Sequence, residues 1–247
     1  MSIQSAEELE ALKRVGRVVA LALREMRRAT RPGVTTAELD AVGSAVLEQH
    51  GARSAPQLVY KFPGVNCISL NDEAVHGIPG PRAVRDSDLV KLDVTAELDG
   101  YIADAAVTVA LPGAGARERR LASCAESALG KAINAARAGR PVYEIGRAID
   151  REVRGQGFHV LRELHGHGVG RTIHEPPSVP QWEDRTYSQP LTEGLVFTIE
   201  PIIAVGSSRV TLDPDGWTLR TGDRSPSAHW EHTIVVTGGR PLILTAA

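Results

Sequence analysis

Cys67 and Cys124 are the only cysteines in a chain of 247 residues. So few thiols exclude a disulfide framework and a thiolate zinc site. An excess of one charge is missing as well: the formal net charge is −2, which gives no general attraction to nucleic acid. No apolar run reaches the ~20 residues a membrane-spanning helix needs. The start, Met-Ser-Ile-Gln-Ser-Ala-Glu-Glu, has neither the basic region nor the apolar stretch of a secretory signal. These absences describe a cytoplasmic protein without a membrane or a direct nucleic-acid partner, and we expect a monomer. With 42% hydrophobic and 23% charged residues, the chain has the means to bury a sizeable core.

Ser5-x-x-Glu8 is a capping-box signal, and Leu9, Leu12, Val15, Val18, Val19 and Leu23 follow at helical spacing. This helix should end near Arg28 or Ala29, before Arg31-Pro32-Gly33. Thr35-x-x-Glu38 opens a second helix that Gly51 closes. Pro56 to Cys67 reads as a loop or short strand. The pattern then recurs, with a long helix over Arg117–Ala136 and another amphipathic helix after a Gly-containing break. Gly33, Leu39, Leu47 and Gly51 match Gly139, Ile145, Val153 and Gly157 at a constant offset of 106 residues. We read one domain over 1–247, built of two related halves, roughly 1–111 and 112–247, joined at Leu111-Pro112-Gly113-Ala114-Gly115. Strand-like runs close the second half at Leu195–Ile199, Trp217–Leu219 and Thr233–Val236. The class is α+β, with helices covering one face of a curved antiparallel sheet.

The chemistry begins at Asp93-Val-Thr-Ala-Glu-Leu-Asp-Gly-Tyr-Ile-Ala-Asp104. Asp99-Gly100 is a two-residue turn signal between strand-like runs, because a type I′ turn requires φ > 0 at both central residues. Thr95 then stands opposite Asp104, and Asp93 shares its face by the period-two alternation of strands. Two carboxylates so placed repel each other and raise a pKa unless a cation sits between them. The plainer alternative is a solvated hairpin face, since Lys91 and Glu97 share it.

Three further stretches add ionisable groups. Leu164-His-Gly-His167-Gly-Val-Gly-Arg-Thr-Ile-His174-Glu175 flanks His167 with glycines, which would let a backbone and a bound ion approach closely. It could instead be a surface turn, and it lacks the spacing of a phosphate-binding loop. Glu200 and Glu231 sit in apolar runs, Phe197–Ile203 and Trp230–Val236, where a carboxylate is costly unless paired or metal-bound. An internal ion pair with an arginine is the alternative for each. Asp93, Asp104, His167, Glu200 and Glu231 form an oxygen-rich set with one nitrogen, which suits Mn, Fe, Co or Zn. Four carboxylates exceed the need of one divalent ion but balance two, roughly 3.5–4 Å apart.

Taken in chain order, Asn71-Asp-Glu-Ala-Val-His76-Gly-Ile-Pro79, Asp93-Val-Thr95, Asp104, Gly166-His-Gly-Val-Gly170, His174-Glu175, Thr198-Ile-Glu-Pro201 and Glu231-His-Thr233 resemble the type I methionine aminopeptidases, which have the pita-bread fold. The likeness runs from the first helix nearly to the C-terminus. It implies removal of the initiator methionine from nascent chains whose second residue is small, with a hydroxide bridging two divalent cations as nucleophile. It also implies roles for individual residues. Asp93 would bind one metal, Asp104 and Glu231 would bridge both, and His167 with Glu200 would complete the other. His76 and His174 would contact the substrate, and Glu200 would relay the proton. Phe62, Cys67 and Trp217, with the His76 loop, would form the methionine pocket. Partners would be nascent polypeptide N-termini, with the ribosome a further candidate through Arg209, Arg220 and Arg224.

The sequence departs from that family at several places. Ile173 stands where an aromatic is common, Pro176 follows His174-Glu175, and Val59-Tyr60-Lys61-Phe62 lacks a histidine often found there. Ala105 and Ala106 replace hydroxyl residues. Two rivals share the fold: a proline-directed aminopeptidase or prolidase, and a non-catalytic binding protein. The first usually has Glu-Pro-Gly where this chain has Glu200-Pro201-Ile202, plus a large N-terminal domain. The second loses metal ligands, and here all five remain.

Overall fold

Ser5 accepts the Glu8 N–H at 3.3 Å and opens α1 (Ala6–Ala29), whose end agrees with the expected stop. The computed structural model describes residues 1–246. Thr35 and Glu38 form a full capping box at the head of α2 (Thr36–Gln49). β1 (Arg53–Ser54) leads into α3 (Ala55–Tyr60), where a loop or short strand was expected. The reason is local: Ser54 caps the Gln57 N–H, and Pro56 sits in the first turn, where its missing N–H costs nothing. β2 (Cys67–Leu70) and β3 (Glu73–Val75) precede the long hairpin of β4 (Leu89–Leu98) and β5 (Tyr101–Ala110). Its turn has φ of 53° at Asp99 and 81° at Gly100, and Thr95 faces Asp104 as the turn chemistry requires.

The second half repeats the order with α4 (Ala116–Ala135), α5 (Tyr143–Gly155) and β6 (His159–Val160). After them come β7 (His165–Gly168), β8 (Glu175–Pro180), β9 (Val196–Ile199) and β10 (Ile202–Ala204). β11 (Val210–Leu212), β12 (Leu219–Thr221), β13 (Ser227–His229), β14 (His232–Val235) and β15 (Leu242–Ile243) complete the chain. The strand expected from Trp217 begins two residues later. Asp215 Oδ1 accepts the N–H groups of both Trp217 and Thr218 at 2.8 Å, so those amides serve a turn instead of a ladder.

Turns in the two halves are built alike. Gly33 N–H donates to the Val84 carbonyl and Gly139 N–H to that of Leu191, both at 2.8 Å. Val84 and Leu191 return bonds to Val34 and Arg140, again at 2.8 Å. All four glycines of the 106-residue correspondence have φ between 68° and 88°, a region where a side chain would strain the backbone.

Every paired strand among the described residues is antiparallel. One core packs α1 and α2 against β2, β4 and β5 through Val15, Val19, Leu39, Leu92 and Val94. The other packs α4 and α5 against the later strands through Leu121, Ile145, Phe197, Ile203 and Ile234. Between them, β5 runs beside the segment entering β14. Ala106 and Glu231 exchange backbone bonds of 3.4 and 2.9 Å. On one side of that pair Thr108 bonds the His229 backbone, and on the other Thr233 bonds that of Asp104. The hydroxyls of two threonines, one from each half, thus close the seam.

Candidate active site

The seam delivers Asp104 and Glu231 to a cleft that Asp93, His167 and Glu200 also line. β7 supplies His167, and Glu200 follows directly on β9. Asp104, Glu231 and Glu200 are 6%, 2% and 9% exposed. Among the described residues no lysine or arginine pairs with any of the four carboxylates, so the arginine alternative fails for both glutamates. The solvated-face reading of the hairpin fails too. Lys91 is 1% exposed and donates to the Asn71 carbonyl at 2.7 Å and to Ser227 Oγ at 3.2 Å.

Burial pushes all four acids up, and their mutual repulsion adds to this for Asp93, Glu200 and Glu231. Asp104 rises to about 7, against hydrogen bonds from Thr95 and Asp93 that pull the other way. His167 is held neutral, its pKa lowered to about 3 chiefly by burial. His167 Nδ1 lies 3.0 Å from the Gly168 carbonyl, which can only accept, so the proton is on Nδ1 and Nε2 carries a lone pair. Nε2 stands 3.6 Å from Glu200 Oε1, which also accepts the Thr198 hydroxyl at 2.9 Å.

These residues fit divalent cations. Asp104, His167 and Glu231 each offer a donor atom within 4.8 Å of the others. Asp104 Oδ1 is buried without a hydrogen-bond partner, and a lone pair on His167 faces a carboxylate. Acceptors turned toward one another in a buried cluster call for a cation between them.

His76 and His174 line the same cleft, with Phe62, Cys67 and Trp217. His76 has φ of 59°, uncommon for a residue with a side chain, and its surroundings lower its pKa to about 4 by desolvation. His174 packs against His167 with ring centroids 4.1 Å apart and planes tilted by 47°. Phe62 meets Trp217 edge to face at 5.3 Å, and burial pushes the Cys67 thiol well up, leaving an apolar corner. Ile173, in place of an aromatic, is buried with Leu12, Val169 and Val196. Arg220 is tied to Asp72, Glu73 and Asp213.

One motif works differently from expectation. A side chain on Gly166 would meet the Thr198 carbonyl oxygen at 2.5 Å, and one on Gly168 would overlap the Pro176 carbonyl. The glycines around His167 make room for neighbouring strands, not for an ion. Two site residues escaped the sequence reading. His229 is 2% exposed, and its unpartnered Nε2 lies 3.5 Å from Glu231 Oε2. Its spacing of two from Glu231 was the available signal. Tyr60, from α3, reaches His174 through its hydroxyl; no pattern in the sequence marked that contact.

The sequence matches metallopeptidase family M24 over residues 10–238. It is 43% identical to methionine aminopeptidase 2 of Bacillus subtilis over 99% of both chains. Against a methionine aminopeptidase of Staphylococcus epidermidis the identity is 38%, over 99% of this chain and 98% of that one. The crystal structure of a methionine aminopeptidase from Thermotoga maritima superposes with a TM-score of 0.97 at 34% identity, covering each chain entirely. A prolidase from Pyrococcus furiosus shares the fold at 22% identity and a TM-score of 0.78, with 65% of its length covered. The architecture is therefore the pita-bread fold, and the chain belongs to metallopeptidase family M24, among its methionine aminopeptidases.

Proposed function

We propose that the chain removes N-terminal methionine from polypeptides whose second residue is small, with two divalent cations held by Asp93, Asp104, His167, Glu200 and Glu231. The observation that carries the reading is the set of four carboxylates and one neutral imidazole in a cleft without a lysine or arginine counter-ion among the described residues. When bound, such cations polarise the scissile carbonyl and lower the pKa of a water toward neutrality. Asp104 and Glu231, which offer donor atoms within 4.8 Å of each other, would serve both cations, with Asp93 completing the set for one and His167 with Glu200 for the other. Whether Mn, Fe, Co or Zn serves in the cell is a matter of supply as much as affinity.

The protein's own groups supply the rest. Glu200 accepts the proton of the attacking water and returns it to the leaving amine nitrogen. His174 donates to the carbonyl oxygen as negative charge develops there. His76, held neutral by its surroundings, contacts the amide being broken. Phe62, Cys67 and Trp217 receive the flexible methionine side chain against an apolar surface. One catalytic domain spans 1–247, its halves, roughly 1–111 and 112–247, joined by the seam; the matching turn bonds at Gly33 and Gly139 support their common origin. Substrates are nascent N-termini met in the cytoplasm by a monomer. Among the described residues no helix is long and apolar enough to cross a membrane.

Release of methionine from Met-Ala and Met-Leu after loading with each metal tests this. Rapid cleavage of Met-Ala with Met-Leu slow is the expected result. Equal rates on both, or activity confined to X-Pro peptides, would overturn the assignment.

A further inference from the structure

Tyr60 ends α3, and the left-handed Lys61 after it, with φ of 62°, turns the chain so that the Tyr60 ring lines the cleft. Its hydroxyl oxygen lies 2.7 Å from His174 Nδ1, and the two ring centroids are 5.7 Å apart. Among the described residues the Tyr60 hydroxyl makes no other hydrogen bond. Such a bond can be made in two ways, with the phenol donating to Nδ1 or Nδ1–H donating to the phenol. A phenolic O–H is the more acidic donor and an imidazole lone pair the better acceptor, so the first is favoured. Partial burial raises the Tyr60 pKa, which keeps the proton on the phenol.

We propose that Tyr60 is a positioning residue: by donating to Nδ1 it fixes the His174 proton on Nε2, the nitrogen left to serve the substrate oxygen. The proposal rests on the reading of His174 as that oxygen's donor. His167, packed against His174 with ring centroids 4.1 Å apart, gives its Nδ1–H to the Gly168 carbonyl and keeps a lone pair on Nε2. Two imidazoles in contact are thereby set in opposite tautomers, one to accept a cation and one to donate a proton. Neither assignment depends on either ring becoming charged.

Long-range proton–nitrogen correlation spectra of the full chain, with and without diamagnetic zinc, read the tautomer directly, with His174→Gln assigning the signals. The wild type is expected to show His174 protonated on Nε2 with an accepting Nδ1, and Tyr60→Phe to show a mixture. In the metal-loaded enzyme Tyr60→Phe should lower kcat about tenfold, the loss typical of one such bond, with KM for Met-Ala nearly unchanged. A wild-type ring protonated on Nδ1 overturns the proposal without recourse to any variant. So does Tyr60→Phe with an unaltered tautomer or an unaltered kcat. Full activity in His174→Ala would remove the underlying reading instead, and the proposal with it. A slow His174→Ala beside an unchanged Tyr60→Phe removes only the proposal.

Discussion

The Thr233 hydroxyl donates to the Asp104 carbonyl at 2.7 Å and accepts the Asp104 N–H at 2.9 Å. One side chain from the second half thus fixes the backbone of a candidate metal ligand from the first. Thr233→Val keeps the shape and leaves two buried backbone groups without partners. The expected cost is about 1–3 kcal/mol in urea unfolding, together with weaker metal binding by calorimetry. Thr233→Ser, which keeps the hydroxyl, should retain the affinity; equal loss in both variants would mean that the methyl packing matters and the bonds do not.

Gly168 is open to an equally direct test. Alanine there would overlap the Pro176 carbonyl, which belongs to β8 and is not a movable side chain. β7, which carries His167, and β8, which follows directly on His174, must then separate. Gly168→Ala should destabilise the chain by about 1–3 kcal/mol and reduce metal affinity, whereas Gly155→Ala, with open space around it, should do neither. Thermal melts of the two variants side by side decide the matter.

The hairpin was legible in the sequence because its determinants are local. Asp99-Gly100 dictates the turn, the turn dictates the register, and the register puts Asp93 and Asp104 on one face. The repeated glycines were legible for a similar reason, since each marks a helix end or turn that few other residues tolerate. Glu200 and Glu231 stood out by contrast with their apolar neighbours. What could not be read was set by contacts distant in the chain. Lys91 reads as solvated in the sequence, whereas Asn71 and Ser227, far off in the chain, accept from its ammonium. Tyr60 meets a histidine 114 residues away. α3 was missed because Pro56 suggests a break, although in a first turn it favours a helix.

Metal affinity should rise with pH in a defined window. The metal-free cleft holds its carboxylates' pKa values above their ordinary range, with Asp104 at about 7. Below that value a cation must displace protons to bind, so affinity falls as pH falls. His167 contributes little to this, being neutral already, with its pKa lowered to about 3. Calorimetry in buffers of different ionisation enthalpy should show proton release near pH 6, shrinking as pH rises through 7. Uptake of protons, or an affinity flat from pH 5.5 to 8, would contradict the picture.

Substitution of the two cleft histidines separates chemistry from metal holding. His174→Ala should bind metal as the wild type does yet lose rate by about 10²–10³-fold, the usual effect of removing a donor to a developing oxyanion. His167→Ala should lose metal first, and activity only as a consequence. Metal content after dialysis, measured beside kcat on Met-Ala, distinguishes the two. Metal loss in His174→Ala with retention in His167→Ala would reverse the roles assigned here.

Asp104→Asn separates stability from function most sharply. In the metal-free chain Asp104 is one of four acids lining the cleft with no lysine or arginine counter-ion among the described residues, and it is only 6% exposed. At pH 8 the cleft must either hold repelling charges or stay protonated at a cost. An amide of nearly the same shape removes one charge. The metal-free variant should therefore be more stable than the metal-free wild type, by about 1 kcal/mol or more for one unit of relieved pKa shift. Saturating metal should invert the order, because the wild type gains binding energy that the variant lacks. The decisive measurement is a pair of thermal melts at pH 8, with chelator and with excess divalent metal. If Asp104 were a structural carboxylate, Asp104→Asn would be the less stable protein in both; the crossing of the two curves is what a cation site requires.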